Sequence, residues 1–392
     1  MKLHSFSVGN FKSFLGVQTI AFNFDKRNTN VIYGPNGSGK SNLFQAIQFY
    51  RDFIRNSTKF EGQNLGYQNF LLSAVDHEIP TTLAALFSTD KFIYKYEFSI
   101  LGNRVVNEYL QRKRGIRNSS FETIFRRLSV DKGRYEKYGF DSVLMKSTRP
   151  DALLLTKAWE NNNKIANDIF IFLEHLKLIN NHQNAGATAQ KIATDDKYRL
   201  KVLELLQNAD LFIQDVAAFE RDMPEEIVNK LPLSDVLKAK LDRRGYEIVT
   251  SHFVHDDRGV VSGVKKLSMV AHESMGTKRI FELAYPLIDT LERGNTLYVD
   301  DFEIYLHPRE TAFIIDLFAT RNNPKGAQLI VNTHNTKIFD QVGKNNVHLF
   351  GKNNREETII GSIPGDIRAT DTALEKKYDK GLFGAVPNIK GS

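Results

Sequence analysis

The sequence predicts an α/β fold: a mixed β-sheet with flanking helices, an antiparallel β-subdomain, and a mainly helical insertion. Two observations support this prediction. Strand and helix patterns alternate in the first and last parts of the 392-residue chain, whereas apolar residues at helical spacing dominate its middle. We therefore expect residues 1–140 and 246–392 to form one α/β lobe in two parts, and residues 141–245 to form the insertion.

The N-terminal part contains patterns typical of strands, with one helix among them. Tyr94, Tyr96 and Phe98 alternate with polar residues, which is the period of a half-buried strand. Residues 58–80 are polar and typical of loops. The expected strands cover residues 3–11, 17–24, 31–33, 81–87, 92–101 and 105–113, and the expected helix runs from residue 42 to residue 55.

Helical patterns dominate the middle of the chain, and the strand–helix alternation returns after it. Residues 153–180 place Ile165, Ile169 and Phe172 on one helical face, which predicts a helix there. The other expected helices cover residues 198–211, 274–291 and 310–319, and the expected strands cover residues 246–254, 296–299 and 328–331.

Residues 34–41 match the complete phosphate-binding motif G-x-x-x-x-G-K-[ST]. An apolar run enters this loop as a strand would, and helical spacing follows it, which is the context that the motif requires. Glycines let backbone N–H groups surround phosphate oxygens, and the helix N-terminus adds positive potential. Lys40 is expected to contact the β- and γ-phosphates, and the Ser41 hydroxyl to ligate Mg²⁺. The predicted nucleotide-binding residues are Asn36, Gly37, Ser38, Gly39, Lys40 and Ser41.

Carboxylates further along the chain complete such a site. The apolar run at 296–299 ends in Asp300, and a carboxylate at a strand end is the expected second ligand of Mg²⁺. Asp301 follows it, where a carboxylate can orient the attacking water. His334 ends the next apolar run; it either contacts the γ-phosphate or the water, or it is structural.

Composition excludes several other classes of site. The chain has no cysteine, which excludes disulfides, thiolate zinc sites and cysteine nucleophiles. No apolar stretch is long enough to span a bilayer, and the N-terminus lacks the apolar segment of a signal peptide. We therefore expect a cytoplasmic protein that does not enter a membrane. No cluster of carboxylates outside the predicted site suggests a nuclease centre.

The net charge of +7 is unevenly placed. The stretch from Arg104 to Lys137 holds ten basic and four acidic residues, a local excess of six. Such a strip could meet a nucleic-acid backbone or an acidic partner protein, or it could be an ordinary solvated face. The ten basic residues are Arg104, Arg112, Lys113, Arg114, Arg117, Arg126, Arg127, Lys132, Arg134 and Lys137.

A second anion-binding segment precedes the acidic strand. Ser274, Gly276 and Thr277 lie at the start of a predicted helix, and a helix N-terminus binds anions through its N–H groups. Because the chain already has a loop for phosphates, this segment makes sense if it serves the nucleotide of a partner subunit. The alternative is an ordinary N-cap by Ser274.

Taken in order, these segments resemble the ABC-type ATPases of the SMC, RecF and OLD grouping. The resemblance is strongest to bacterial AAA ATPases of the AbiL second-component and RloA type, which include ATPase subunits of anti-phage systems such as PARIS. It extends nearly from end to end of the chain. Besides the segments above, it includes residues 10–14, similar to the family's opening strand motif, and residues 375–387, similar to its terminal motif.

The resemblance implies an ABC-type P-loop ATPase head that uses ATP and Mg²⁺. Ser274, Gly276 and Thr277 would be the signature that closes on a partner's γ-phosphate, so that two or more copies form a head-to-tail nucleotide sandwich. Lys40, Ser41 and Asp300 would bind phosphate and Mg²⁺, and His334 would be the switch histidine. Gln68 is the candidate for a further Mg²⁺ ligand.

One departure from the family pattern concerns Asp301, where the family usually has glutamate. Aspartate is one methylene shorter, and a misplacement of about 1 Å can cost on the order of a hundredfold in rate. Glu303 could partly substitute for it, or could serve the subunit interface instead. We therefore expect slow hydrolysis.

The leading hypothesis is an ATPase subunit of a bacterial anti-phage defence system that acts as a sensor. Nucleotide binding between subunits would hold or release a separately encoded effector, a nuclease or toxin. The first alternative is a DNA-repair-type clamp ATPase that grips duplex DNA through the 104–137 strip. The second is a scaffold that is gated by ATP without hydrolysing it.

Overall fold

The computed structural model describes residues 1–24, 27–60, 65–73, 78–116, 119–128, 135–136, 142–180, 185–209, 211–222 and 244–363. The chain divides into two compact units. Unit 1 comprises Met1–Asn180, Arg293–Phe302 and Ile314–Ser392, and unit 2 comprises Asn181–Glu292 and Glu303–Phe313. This division differs from the expected insertion at 141–245, because residues 142–180 belong to unit 1 and unit 2 continues to Glu292.

The strands of the described chain are numbered here in sequence order. They are β1 (Lys2–Gly9), β2 (Gln18–Ala21), β3 (Thr29–Tyr33), β4 (Thr81–Ser88), β5 (Phe92–Leu101), β6 (Arg104–Arg114), β7 (Glu122–Leu128), β8 (Tyr135–Glu136), β9 (Leu176–Ile179), β10 (Asp215–Asp222), β11 (Arg244–His255), β12 (Val261–Ser268), β13 (Thr296–Val299), β14 (Gln328–Thr333), β15 (Val347–Lys352) and β16 (Thr358–Ser362).

The described helices are identified by their bounds. They are Lys40–Asn56, Ser142–Ser147, Leu154–Glu160, Lys164–His175, Gly186–Thr194, Asp196–Asn208, Met269–His272, Met275–Arg293, Pro308–Leu317 and Phe339–Val342. Within the part of the chain that is described, no helix has both the length and the apolar character needed to cross a bilayer.

Unit 1 contains a six-stranded mixed sheet in the order β16-β15-β3-β14-β13-β9. The strands from β15 to β9 run parallel, and β16 is antiparallel to β15. All residues of β13 and β14 are buried, as is usual for parallel strands that are covered on both faces. Because β14 lies between β3 and β13, the segments that follow these three strands meet at one edge of the sheet.

Unit 1 also contains a seven-stranded antiparallel sheet in the order β2-β1-β4-β5-β6-β7-β8. The predicted strand 92–101 is present as β5, with Tyr94, Tyr96 and Phe98 fully buried. The rings of Tyr96 and Phe98 pack with Tyr50 and Phe53 of the helix that follows the loop. The mixed sheet, the antiparallel sheet and the flanking helices confirm the predicted fold class.

Unit 2 contains a three-stranded antiparallel sheet, β10-β11-β12. The described helices of this unit include Gly186–Thr194 and Asp196–Asn208, and the strand β10 contacts both of them. The exposed edge strand is β12, whose first six residues are all exposed.

The predicted continuous helix at 153–180 is wrong. The structure has two helices, Leu154–Glu160 and Lys164–His175, followed by strand β9. Asn162 has a positive φ of 58°, and the Asn163 side chain accepts hydrogen bonds from the backbone N–H groups of Ile165 and Ala166, so the first helix ends and a new one is capped. Residues 176–179 then pair in parallel with β13, and this long-range pairing overrides their helical spacing.

Candidate functional site

The phosphate-binding loop lies where the sequence predicts it, between β3 and the helix Lys40–Asn56. Gly37 and Gly39 have φ angles of +75° and +103°, a region that other residues rarely adopt. At Gly39 a Cβ atom would also lie only 2.2 Å from Oγ1 of Thr358. Both glycines are therefore required by the path of the loop and not only by a ligand.

Lys40 is buried, with its side chain folded across the loop. Its Nζ donates hydrogen bonds to the carbonyl oxygens of Gly34, at 2.7 Å, and Pro35, at 3.1 Å. The positive charge is thus held over the loop, where phosphate oxygens are expected to bind.

Ser41 and Asp300 are brought together at the edge of the mixed sheet. The Ser41 hydroxyl donates a hydrogen bond to Oδ1 of Asp300 at 3.3 Å. The same carboxylate oxygen accepts a hydrogen bond from the side-chain amide of Asn332, whose Oδ1 in turn accepts one from the Tyr298 hydroxyl at 2.8 Å. A hydroxyl and a carboxylate oxygen in contact are a donor pair that suits Mg²⁺.

The charge of Asp300 is costly in this position. Burial raises the pKa of its carboxyl above the ordinary value, and the neighbouring Asp301 raises it further, while the hydrogen bonds from Asn332 and Ser41 lower it. A bound cation would offset the cost of burying this negative charge and would favour the ionised carboxylate.

Asn332 was not singled out from the sequence. It is fully buried in β14, and its amide bridges Asp300 and Tyr298 on the neighbouring strand. An amide directly after the apolar run 329–331 of a buried strand was the signal that could have identified it, because buried amides need partners.

Asp301 and His334 line one pocket with the phosphate-binding loop. The lining residues are Asn36, Gly37, Gly39, Lys40, Ser41, Asn42, Asp301 and His334. Asp301 adopts a positive φ of 49°, a conformation in which aspartate is several-fold enriched. The structure thus places both predicted groups beside the loop, and their catalytic roles remain predictions.

The segment 10–14, which resembles the family's opening motif, packs beside the phosphate-binding loop and forms hydrogen bonds with its neighbours. Phe11 and Phe14 exchange backbone hydrogen bonds in a tight turn, each at 2.9 Å. This turn presents the Ser13 hydroxyl, which accepts hydrogen bonds from Thr358 and from Asn42, both at 2.7 Å. The sequence motif therefore has a packing role at the start of the helix that follows the loop.

Gln68 lies in a different pocket from the phosphate-binding loop. That pocket includes Lys12, Ser13 and Asn42, and only Asn42 is shared with the pocket that holds Asp301. The backbone carbonyl of Gln68 accepts a hydrogen bond from the N–H of Lys12 at 2.8 Å. A role for Gln68 as a Mg²⁺ ligand remains a prediction.

The signature residues lie in unit 2 at the start of the helix Met275–Arg293. The Ser274 hydroxyl accepts a hydrogen bond from the Thr277 N–H at 3.1 Å and contacts the Thr277 hydroxyl at 2.9 Å. A Cβ at Gly276 would lie 2.9 Å from the carbonyl oxygen of Tyr305, so this glycine permits a close approach to the turn after Glu303. Glu303 also belongs to unit 2.

The basic strip is less uniform than the sequence indicates. Arg127 is buried, and its guanidinium donates hydrogen bonds to Glu108, at 3.4 Å, and to the backbone carbonyls of Ala152 and Arg149. Its guanidinium is therefore occupied by buried hydrogen bonds within unit 1 and is not available to a ligand. Arg117, Lys132, Arg134 and Lys137 lie outside the described residues, as does the terminal segment 375–387.

The chain is similar to several solved structures at low sequence identity. The SMC head domain from Thermotoga maritima is 14% identical, with 93% of this chain and all of that chain covered and a TM-score of 0.42. An SMC head domain with an extended coiled coil from Pyrococcus furiosus is 14% identical, with coverage of 97% and 98% and a TM-score of 0.38. The recombination mediator protein RecF is 14% identical, with coverage of 93% and 98% and a TM-score of 0.35.

No curated protein matches the sequence significantly. A family model described as "AAA domain, putative AbiEii toxin, Type IV TA system" matches residues 29–340, a range that runs from the strand before the phosphate-binding loop past His334. The match thus includes the loop, the signature and the acidic strand. The chain therefore belongs to this family of AAA domains.

Proposed function

We propose that the chain binds ATP with Mg²⁺ on its phosphate-binding loop, hydrolyses the ATP slowly, and acts as the ATPase subunit of a bacterial anti-phage defence system. The observation that best supports ATP binding is the hydrogen bond between Ser41 and Asp300. It lies beside a pocket that is also lined by Lys40, Asp301 and His334.

The residues present suit the cofactor pair. The loop's N–H groups and Lys40 would hold the phosphates, and Ser41 and Asp300 would ligate the metal. When bound, Mg²⁺ supplies charge neutralisation at the phosphate oxygens. Asp301 would orient the attacking water from the position where it lines the pocket, and His334 would contact the water or the terminal phosphate.

We also propose that ATP closes two copies of the chain head to tail. The signature segment offers a helix start whose Ser274 side chain is already engaged with Thr277, while the N-terminal turn as a whole carries the positive end of the helix dipole. The nucleotide on one copy would then meet Ser274, Gly276 and Thr277 of the second copy.

The proposed effector is a separately encoded nuclease or toxin. Support comes from the family description, which refers to a toxin–antitoxin system, since such systems have two components. The two copies closed on ATP would hold the effector, and a phage-dependent change at the nucleotide would release it.

A defined experiment tests the proposal. The chain and the product of the neighbouring gene are co-expressed, purified together, and tested for phage resistance in cells. We expect a stable complex, resistance that requires both genes, and loss of resistance with Lys40→Ala. The matched control is Lys59→Ala, which removes an exposed lysine of unit 1 that lines neither the loop pocket nor the pocket of Gln68, and we expect resistance to be unchanged. Absence of a complex, together with resistance that persists in Lys40→Ala, would contradict the proposal.

A scaffold that binds ATP without turnover is the second candidate, and the shorter side chain of Asp301 favours it. Phosphate release by the purified protein separates the two. Measurable release that Asp301→Asn abolishes supports the ATPase, whereas ATP-dependent dimers without any release support the scaffold.

A further inference from the structure

A basic pocket lies in unit 1 at the end of β6, outside the nucleotide site. Its lining combines three cations, two serines, one carboxylate and an aromatic ring: Phe92, Arg112, Lys113, Arg114, Ser119, Ser120 and Glu122. The cavity volume is about 470 Å³, within the range of ligand sites, which is on the order of 300–1,000 Å³. Three cations against one carboxylate leave the lining with a net charge of +2, which favours an anionic ligand.

Two of the three cations of this pocket, Arg112 and Lys113, are held in place before any ligand arrives. Arg112 stands opposite Glu122 in the pairing of β6 with β7, and its Nε donates a hydrogen bond to that carboxylate at 2.5 Å. The guanidinium also lies 4.7 Å from the centre of the Phe92 ring. The Nζ of Lys113 lies 4.9 Å from the centre of the Phe121 ring. Cations fixed on aromatic rings lose little conformational entropy when they bind a phosphate.

The face of β6 and β7 that carries Lys113 continues from the pocket, with half-buried side chains along β6 and an exposed Arg126 on β7. Residues of β6 at intervals of two share a face, so Lys113, Gln111 and Tyr109 form a row about 13 Å long at the usual rise per residue. At its far end Arg126 stands opposite Tyr109, with its guanidinium carbon 5.7 Å from the ring centre. Thr123, opposite Gln111, adds a hydroxyl between the two basic ends.

We propose that the pocket and this face bind single-stranded nucleic acid, with a phosphate in the pocket beside Lys113, the cation that the pocket and the row share, and with the strand running toward Tyr109 and Arg126. A strand of nucleotides alternates phosphates with flat bases, and the row has a cation at each end with a planar amide and an aromatic ring between them. In a duplex the bases are paired and stacked on one another, so their faces are not free to stack on a side-chain ring such as that of Tyr109. An acidic peptide would bind through the cations Lys113 and Arg126 alone, and its binding would not depend on the Tyr109 ring.

The experiment measures fluorescence anisotropy of a labelled oligo(dT) strand with the full chain. We expect Lys113→Glu with Arg114→Glu to weaken binding on the order of tenfold or more and to make the log–log salt slope shallower by about 1.4. The matched control is Lys265→Glu with Lys266→Glu, an adjacent pair of exposed lysines on β12, which leaves the affinity unchanged. Retained binding of a fluorescent ATP analogue shows that each variant is folded.

A second pair of variants tests the aromatic contribution. Tyr109→Leu is expected to weaken binding several-fold, and Tyr109→Phe, which keeps the ring, to preserve it. The proposal is overturned if both charge-reversal pairs weaken binding equally, if the duplex binds more tightly than the single strand, or if polyglutamate competes as well as unlabelled oligo(dT). The outcome is independent of ATP turnover.

Discussion

The hydroxyl of Ser41 donates a hydrogen bond to the carboxylate of Asp300 at 3.3 Å, across 259 positions of the chain. Ser41 is fixed by the first turn of the helix after the loop, and Asp300 by the end of β13. Because β14 separates β3 from β13 in the sheet, the contact depends on three parallel strands. It joins the two halves of the expected metal site.

The first prediction concerns the buried charge of Asp300. Its raised pKa means that ionisation destabilises the fold above the pKa of the unfolded chain. Asp300→Asn removes this cost, so we expect the melting temperature of the Mg²⁺-free protein to rise by about 1–3 °C. Ser41→Ala is the matched variant: it keeps the carboxylate, removes a hydrogen bond to it, and is expected to lower the melting temperature. Both variants should lose stabilisation by Mg²⁺ with ATP in the same melting assay.

The second prediction concerns the reach of Asp301. Asp301→Glu extends the carboxylate by one methylene, and we expect steady-state phosphate release to rise on the order of tenfold. The gain is limited because the positive φ of 49° at this position suits aspartate better than glutamate. Asp301→Asn, measured alongside, should abolish release with little change in ATP affinity. Equal turnover by the wild type and Asp301→Glu would show that side-chain length does not limit hydrolysis.

The third prediction concerns the close approach at Gly276. A Cβ there would meet the Tyr305 carbonyl oxygen at 2.9 Å, so Gly276→Ala must shift the start of the signature helix. We expect ATP-dependent dimers to be lost in sedimentation experiments, while ATP binding by single copies remains. Gly263→Ala is the control in the same unit, since a Cβ there meets nothing within 4 Å. Dimers that persist in Gly276→Ala would separate this segment from the subunit contact.

The fourth prediction concerns acid sensitivity. Burial lowers the pKa of His348 to about 4, and its Nε2 lies 3.1 Å from Oδ1 of Asn30. In the unfolded chain this histidine takes up a proton near its ordinary pKa of 6.5. The free energy of unfolding is therefore highest above pH 6.5 and falls as the pH drops toward 4. We expect a loss of about 3 kcal/mol over this interval, measured by urea unfolding. His348→Gln should reduce the loss. His4, whose pKa burial also lowers, accounts for part of what remains.

Much of the fold could be predicted from local patterns. The strand 296–299 has the expected bounds, and the alternation of Tyr94, Tyr96 and Phe98 identifies a strand whose aromatic face is buried. The predicted helix at 153–180 failed because an Asn turn and the pairing of β9 with β13 outweigh helical spacing. The charge count of the 104–137 strip also overestimated its exposed positive charge, because the sequence does not show that Arg127 is buried against Glu108.

The sequence by itself determined the phosphate-binding loop, because its glycine positions, lysine and serine act through local backbone geometry. It also determined the position of Asp300 at a strand end. Only the tertiary structure decided that β14 lies between β3 and β13. This strand order lets the side chains of Asn332 and Ser41 both donate hydrogen bonds to the Asp300 carboxylate. The tertiary structure also decided that Arg112 is fixed by Glu122 and Phe92 while Arg127 is buried. The physical reason is that strand order and burial depend on contacts between distant segments, which local spacing does not encode.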